Sequence, residues 1–578
     1  MLDKFRARFL TPSLPYEQDK HAPEGRGILA VCAALVALSI LEILAFAVGG
    51  VFSQVAAYLW FALGAFAFSY LCWQYLVAVA ADLRRGALWG LIPLVVAVPF
   101  CFWYIDSYAF LNTESLSELH DTYAQMKKAD LAYTSVFWTS YPSRSITLNL
   151  IPTAIFGISP WAYRAGFSFP ILFGALFLFA GIRRFHIKER HASAVASLAA
   201  TALFSYPMFC EISRFFEMAI SSTSYGLWAI GAVFLFVARP TVSSALTAAW
   251  TIGLLASSFT SGLALVVLLW LLLGLWLARA LIRRDKDVAA LVSAILLNSI
   301  VVGVAMYLIR PRALRSKQIP FDQMFASFQE ALGYTLSFSK PVFTPAELVV
   351  PTVIAALFAL SLRGGLVPLI LTGWCFPVIW SAANLHGKIG PQLPFALYRS
   401  LIIIPAILYV MSRCLLWLLK PLDRKPWIGR CCILALAVGL YWPLMTTYKT
   451  QPILHPSRAP EGREAVAMEI INAIPSLGLT PYSDAWIANR ADEKAIENFL
   501  PCLQYFLPNW QRVHNSQPLP LASTDTKKPG LIITLPNDPS IAQEYPGYRK
   551  QNRELSVKVS HTQNVVLAIV ALQPLSGW

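Results

Sequence analysis

Long apolar runs alternate with short polar segments along most of the chain, from residue 28 to residue 446. A run of about twenty apolar residues is long enough to cross a hydrocarbon core of about 30 Å as a helix. The pattern therefore predicts an all-α polytopic membrane protein with about thirteen spanning helices. The predicted spans are 28–49, 55–81, 87–105, 164–183, 192–208, 220–238, 242–257, 261–282, 288–309, 347–362, 366–382, 400–419 and 429–446.

The composition excludes several classes of soluble protein. Hydrophobic residues make up 57% of the 578 positions and charged residues 13%, with a mean hydropathy of +0.57. Soluble domains carry about 25% charged residues, so a cytosolic enzyme, a disordered protein and a secreted disulfide scaffold are excluded. The nine cysteines contain no C-x-x-C spacing, so the sequence predicts neither a zinc site nor a disulfide framework.

The basic residues give the chain a predicted orientation. The net charge is +15, and the predicted spans place most basic clusters on one side of the membrane. Cytoplasmic loops collect Lys and Arg, so we expect a multi-pass protein of the inner (plasma) membrane, with its N-terminus inside and its C-terminus outside. No nucleic-acid partner is expected, because no binding motif accompanies these charges. The clusters lie at 4–26, 84–85, 183–190, 283–286 and 420–430.

The same threading predicts three parts in the chain. Residues 1–86 hold a cytoplasmic segment and two membrane spans, and residues 87–446 form the main membrane module. The outer loops of this module are predicted at 106–163, 310–346 and 383–399.

Beyond residue 446 the composition becomes polar and Pro-rich, which predicts a separate domain at 447–578. A helical pattern at 463–474 is followed by β-like runs at 530–535 and 557–571. The last run is too short for a membrane span and is better explained as a buried strand. We therefore expect a small α/β extracytoplasmic domain.

The predicted outer loops carry charges that could form a composite site. In the first loop Glu114, Glu118 and Asp121 are spaced i, i+4, i+7, so a helix over 115–128 would place them on one face. One such carboxylate could act as a general base on an acceptor hydroxyl, although a solvated helix face explains the spacing equally. The basic residues of the other two loops could hold a phosphate or contact anionic lipid headgroups of the membrane.

Several segments of the sequence also resemble a known protein family. The first loop and the following span, which contain "YAQMKKAD" and "IFGISPWAYRAG", resemble GT-C glycosyltransferases, in the branch of the lipid A aminoarabinose transferase and protein mannosyltransferase-like enzymes. The segments "PMFCEISRFFEM" and "LYRSLIIIPAILYVMSRCLL" resemble later motifs of the same family. The residues at motif positions are Glu114, Asp130, Pro142, Arg164, Glu211, Arg214 and Arg399.

The chain departs from the family pattern around the expected base. The family's catalytic aspartate directly precedes the Glu, whereas this chain has Thr113 before Glu114. The base could therefore be Glu114 or Asp106, which is nearer to the membrane. Many members place Lys or His before the motif proline, and here Arg144 follows Pro142 instead.

The resemblance implies an inverting transfer of a sugar from a polyprenyl-phosphate-linked donor to a lipid, glycan or protein acceptor. It implies Asp106 and Glu114 as catalytic candidates. A divalent cation stays open as a cofactor, although the clustered D-x-D expected for one is missing. Arg164 is expected to hold the loop against the bundle. The donor phosphate is assigned to Arg144, Arg214, Arg315, Lys317, His386, Lys388 and Arg399, with Glu211, Asp130, Arg164 and Tyr141 in support.

Two other classes of protein stay open at this point. A transporter or flippase of lipid-linked sugars would also need outward basic residues, but it would place ionisable groups along a midplane pathway. Beyond Glu42 the predicted spans are nearly free of acids. An O-antigen ligase or polymerase would favour a long outer loop late in the chain, whereas the acidic loop here comes early.

Overall fold

A computed structural model describes sixteen parts of the chain, and the chain divides into two compact units. Unit 1 comprises Met1–Trp103, Asp130–Asn149 and Ala165–Leu454, and unit 2 comprises Tyr104–Ala129, Leu150–Arg164 and His455–Trp578. The described residues are 25–102, 147–156, 160–205, 218–258, 260–309, 367–375, 401–450, 463–480, 485–490, 503, 507, 510–513, 529–534, 536, 548–560 and 563–574.

The described residues of unit 1 are helical apart from short turns. A further helical segment covers 367–375, and short 3-10 turns lie at Leu203–Ser205, Leu401–Ile403 and Lys420–Arg424. The first five residues of α5 belong to unit 2, as does the short helix α4. The helices are α1 (Gly25–Ala47), α2 (Gly50–Leu83), α3 (Ile92–Phe102), α4 (Ile151–Phe156), α5 (Pro160–Phe185), α6 (Ala192–Ala202), α7 (Met218–Ala238), α8 (Val242–Ala256), α9 (Thr260–Ile282), α10 (Lys286–Ile309), α11 (Ile404–Leu419) and α12 (Pro426–Thr450).

Most of the predicted spans correspond to observed helices. Among the described residues, seven helices are long and apolar enough to cross a membrane, within α1, α2, α5, α7, α9, α10 and the α11 region. Four other predicted spans correspond to the shorter apolar helices α3, α6, α8 and the first part of α12. The span 347–362 and most of 366–382 lie outside the described residues. The polytopic helical fold is confirmed, and the total of thirteen stays a prediction.

A tight turn joins α8 to α9, so these two helices follow each other closely along the chain. The hydroxyls of Ser257 and Ser258 donate to the carbonyls of Leu254 and Leu255, at 2.9 and 2.6 Å, and so cover the end of α8. An ideal Cβ on Gly262 would lie 2.5 Å from the Leu255 carbonyl oxygen. The tight hairpin therefore needs a residue without a side chain at this position, and the predicted pair of helices is confirmed.

The central helices α5 and α7 pack with their backbones in close contact. An ideal Cβ on Gly181 would lie 2.6 Å from the Gly231 carbonyl oxygen, and one on Gly231 would lie 2.6 Å from that of Phe177. Helices in a membrane associate without a hydrophobic driving force, because lipid tails are as apolar as the helix surfaces. Small residues such as these glycines promote association by letting the two backbones approach closely. The spanning windows of α5 and α7 are 89% buried, compared with 33% for α1 and α2. The α5–α7 pair is thus the core of unit 1.

A buried ion pair joins three helices at one end of unit 1, which we call the Asp82 cluster (Asp82, Arg183 and Ser193). The Arg183 guanidinium donates to Oδ1 of Asp82 from Nη2 at 2.8 Å and from Nε at 3.0 Å. The Ser193 hydroxyl donates to the same oxygen at 2.9 Å. Both charged side chains are buried, so each requires the other to offset its loss of solvation.

Polar contacts continue around the same end of the unit. The ring of His186 stacks on Tyr409, with centroids 6.0 Å apart and planes 14° apart. Burial, followed by the charge of Arg413, lowers the pKa of His186 from its usual value to about 3. His186 is therefore neutral at physiological pH. Arg413 itself pairs with Glu189 at 3.6 Å.

The C-terminal part of unit 2 contains a five-stranded sheet in the order β2-β1-β3-β5-β4. The first three strands are parallel, and β5 is antiparallel to both of its neighbours. Helix α13 (Arg463–Ala473) precedes the sheet and packs against β4. The strands are β1 (Trp486–Asn489), β2 (Gln511–Val513), β3 (Gly530–Thr534), β4 (Tyr548–Ser560) and β5 (Gln563–Pro574).

The sheet confirms the predicted α/β character of this region and corrects one detail. The apolar run near the C-terminus is the buried strand β5, as predicted. The β-like run 557–571 is not one strand, because β4 ends at Ser560 and β5 begins at Gln563. Five consecutive polar residues, 560–564, separate the two strands and are the sequence signal for this turn.

Removing one partner of the Asp82 cluster should destabilise the protein. We expect Arg183→Ala to lower the free energy of unfolding by roughly 3–5 kcal/mol, because it leaves the Asp82 carboxylate buried without its counter-charge. The measurement is thermal unfolding of the detergent-solubilised protein. The exposed Arg85→Ala is the control, and the double variant Asp82→Asn/Arg183→Met should recover part of the loss. Equal stability of Arg183→Ala and Arg85→Ala would contradict the prediction.

Candidate functional site

Most residues of the predicted site lie outside the described residues, so their roles stay predictions. Arg164 is the exception and belongs to α5, where its side chain is 1% exposed. A guanidinium buried to this extent needs polar or charged neighbours, because a buried unpaired charge is costly. The residues outside the described parts are Asp106, Glu114, Asp130, Tyr141, Arg144, Glu211, Arg214, Arg315, Lys317, His386, Lys388 and Arg399.

The described residues near these segments form a buried polar site at the N-terminal end of α7. Five consecutive polar residues, 221–225, follow the segment that contains Glu211 and Arg214. All five are at most 1% exposed. Polar side chains in an apolar interior need hydrogen-bond partners from the protein. The run 221–225 therefore requires such partners.

Asn149 is the centre of this site, and we define the Asn149 network as Asn149, Ser221 and Tyr225. The amide Nδ2 of Asn149 donates to Oγ of Ser221 at 2.8 Å. The Tyr225 hydroxyl donates to Oδ1 of Asn149 at 2.5 Å. Ser221 and Tyr225 are four residues apart and therefore share one face of α7. Both polar atoms of the Asn149 side chain are thus held by one helix.

The backbone of Asn149 packs directly against α5. An ideal Cβ on Gly166 would overlap the Asn149 carbonyl oxygen. Real Cβ atoms do not approach an oxygen this closely, so the contact requires glycine. Asn149 is therefore fixed by its side chain to α7 and by its main chain to α5.

Further polar contacts extend the site towards α9. The hydroxyls of Ser222 and Ser261 lie 2.8 Å apart in a hydrogen bond between α7 and α9. The indole of Trp374 donates to the Ala264 carbonyl at 3.1 Å and so links the 367–375 segment to α9. On α5, the Ser168 hydroxyl is fully buried and has no hydrogen-bond partner among the described residues. This end of the bundle therefore contains a layer of polar groups within apolar helices.

Sequence reasoning missed this network and the helix beside it. The structure shows helical residues at 147–149 and in α4, within the predicted outer loop 106–163. The apolar pattern of this stretch was visible, but Asn149 and Pro152 interrupt it. The polar run at the start of the predicted span 220–238 was the available sequence signal for the Asn149 network. A hydrophobicity pattern does not show which distant residue forms hydrogen bonds with such a run.

Comparison with known proteins identifies the fold. No protein-family model and no curated protein matches the chain. Among solved structures, ArnT from Cupriavidus metallidurans in its apo state matches with a TM-score of 0.50 and 14% identity, over 84% of this chain and 97% of ArnT. The chain has the ArnT fold. ArnT from the same organism bound to undecaprenyl phosphate gives a TM-score of 0.48 and 13% identity, over 84% of this chain and 98% of ArnT.

The ArnT fold agrees with the fold that the resemblance of the motifs predicted. It also confirms a polytopic helical membrane protein with a small C-terminal sheet. At 14% identity the match establishes the fold alone, and the roles of the individual site residues stay predictions.

The contact between Gly166 and Asn149 generates a prediction about stability. Gly166→Ala should lower the free energy of unfolding by roughly 1–3 kcal/mol or more, since the added methyl group overlaps a backbone oxygen and forces α5 to shift. The control is Gly274→Ala on α9, where a Cβ meets no atom within 4 Å. Thermal unfolding in detergent compares the two variants. Unchanged stability of Gly166→Ala would show that α5 and the Asn149 carbonyl tolerate a side chain between them.

Proposed function

We propose that the protein is an inverting glycosyltransferase of the inner membrane. It transfers a sugar from a polyprenyl-phosphate-linked donor to an acceptor at the outer face, with the N-terminus in the cytoplasm and the C-terminal domain outside. The ArnT fold over 84% of the chain carries this proposal. The order of the acidic and basic motifs along the sequence supports it. ArnT has also been solved with bound undecaprenyl phosphate, a lipid carrier of the class that the proposal names.

The proposed chemistry needs a base and a site for a leaving phosphate. The carboxylate of Asp106 or Glu114 removes the proton from the acceptor hydroxyl as its oxygen attacks the anomeric carbon. The bond from that carbon to the phosphate oxygen breaks, and the prenyl phosphate leaves with the bonding electrons. Arg and Lys side chains stabilise its negative charge, which counts for most in a site shielded from bulk water. Attack from the opposite side inverts the anomeric centre.

A lipid-linked donor also suits the outer side of a membrane. Nucleotide sugars are absent there, so an activated sugar must arrive on a carrier that is itself held in the bilayer. The prenyl chain supplies this attachment through its buried apolar length. The acceptor could be a lipid, a glycan or a protein, and nothing in the described residues favours one of them.

The assay for this function measures release of free prenyl phosphate by the purified protein from a panel of polyprenyl-phosphate sugars. Wild-type protein should release it with at least one donor, and Asp106→Asn or Glu114→Gln should reduce the rate by about 10²–10⁴-fold. Asp287→Asn, which changes an exposed acid in the first turn of α10, is the control. A parallel reaction with EDTA tests the need for a divalent cation. Donor binding without release would contradict the proposal and indicate a carrier.

The arginines assigned to the donor phosphate should affect donor use. Arg214→Ala and Arg399→Ala should each raise the KM for the donor about tenfold or more, because a charge-assisted bond to phosphate is worth roughly 1.5–3 kcal/mol. Steady-state kinetics with a varied donor concentration measure this effect, and Arg85→Ala at the other end of the bundle is the control. An unchanged donor KM in both variants would remove these residues from the phosphate site.

A further inference from the structure

We infer that Asn149 is a positioning residue for the sugar-transfer reaction, and this inference rests on the proposed function. Its side chain and its main chain join the three chain segments that carry the proposed site residues. The observation behind the inference is that one fully buried asparagine contacts α5 and α7 at the same time.

The hydrogen bonds hold the Asn149 side chain against one face of α7. Its amide donates to Ser221, and its carbonyl oxygen accepts from Tyr225. All three residues are buried, so water does not compete for these bonds.

The main-chain contact fixes the position of Asn149 along α5. The carbonyl oxygen of Asn149 occupies the space that a side chain would take at Gly166. The chain entering α4 is therefore set against α5 without a spacer, so a shift of either backbone would be transmitted directly to the other.

The position of the network along the sequence links these contacts to the reaction. Arg144 precedes Asn149 by five residues, Arg214 precedes Ser221 by seven, and Arg164 precedes Gly166 by two. Asn149 thus holds together chain segments that adjoin the proposed phosphate ligands Arg144 and Arg214 along the sequence, and it contacts the helix that contains Arg164. A misplacement of about 1 Å in a reacting group can cost about 10²-fold in rate, which is the scale of effect expected here.

A purely structural hydrogen bond is the competing explanation, and the chain offers a matched control for it. Asn298 on α10 is also a buried asparagine, and its amide donates to Oγ of Ser39 on α1 at 3.2 Å. Asn149→Ala and Asn298→Ala remove the same group from the interior of the same bundle. They differ in their distance along the chain from the proposed site residues.

The kinetic test compares these two variants in the prenyl phosphate release assay. Asn149→Ala should lower kcat by about 10–100-fold, with a donor KM within about twofold of wild type, and Asn298→Ala should keep the wild-type kcat. Tyr225→Phe should lower kcat in the same direction by a smaller factor. Equal effects of Asn149→Ala and Asn298→Ala on kcat would overturn the inference.

A double variant separates positioning from general damage. In the background of Arg144→Ala or Arg214→Ala, each of which removes a proposed phosphate ligand that adjoins the network along the sequence, the added Asn149→Ala should lower kcat by a smaller factor than it does in the wild type. A positioning residue acts through these ligands and has less left to position when one of them is gone. A multiplicative loss in both backgrounds would show a structural role only and overturn the inference.

A third measurement does not depend on activity. Hydrogen–deuterium exchange should be faster at residues 147–149 in Asn149→Ala than in wild type and in Asn298→Ala, with no change in the turn that follows α5. Unchanged exchange at 147–149 would overturn the inference, whatever the activity. If wild-type protein released no prenyl phosphate while the exchange changed as expected, the proposed function would fail and the anchoring role of Asn149 would stand.

Discussion

The apolar interior of the helix bundle offers polar side chains no water, and this constraint explains the most specific contacts in the structure. Buried polar groups therefore favour partners within the protein. Asp82 finds Arg183 and Ser193 at one end of α5, and the opposite end of unit 1 holds the Asn149 network. By the helix rise of 1.5 Å per residue, Gly166 and Arg183 lie about 26 Å apart along α5. The two sets of contacts thus hold the central helix near both of its ends.

The close packing of α5 has a second consequence for the site. Glycine contacts with α7 at Gly181 and with Asn149 at Gly166 leave no room for sliding between backbones. Interfaces of this density shift between discrete arrangements and do not deform smoothly. A reaction that needs a base, an acceptor and a leaving phosphate in line benefits from such a frame, because the entropy of alignment is lost on folding and not in each turnover.

Features that depend on a local pattern of residues were predicted from the sequence. Contacts between residues that are far apart along the chain were not. Apolar runs located the helices, the gap between the predicted spans 242–257 and 261–282 separated α8 from α9, and the apolar run near the C-terminus predicted β5. The bond from Asn149 to Ser221 spans 72 residues, and no periodicity reports a partner at that separation. The family motifs predicted the fold through their order along the chain. The geometry of Asp106, Glu114 and the outer-loop arginines lies outside the described residues.

The distribution of arginine along the chain bears on the proposed binding of a donor phosphate by the predicted outer loops. At the end that carries the Asp82 cluster, Arg183 pairs with Asp82, Arg413 with Glu189, and Arg190 donates to the Asp423 carbonyl. These guanidiniums are already engaged with groups of the fold. In the second predicted outer loop, by contrast, four basic residues occur between 310 and 317, and the next acid is Asp322. The predicted orientation makes such an excess unusual outside the membrane. The phosphate of the proposed lipid-linked donor would supply a counter-charge to such an excess, and so would an anionic lipid headgroup.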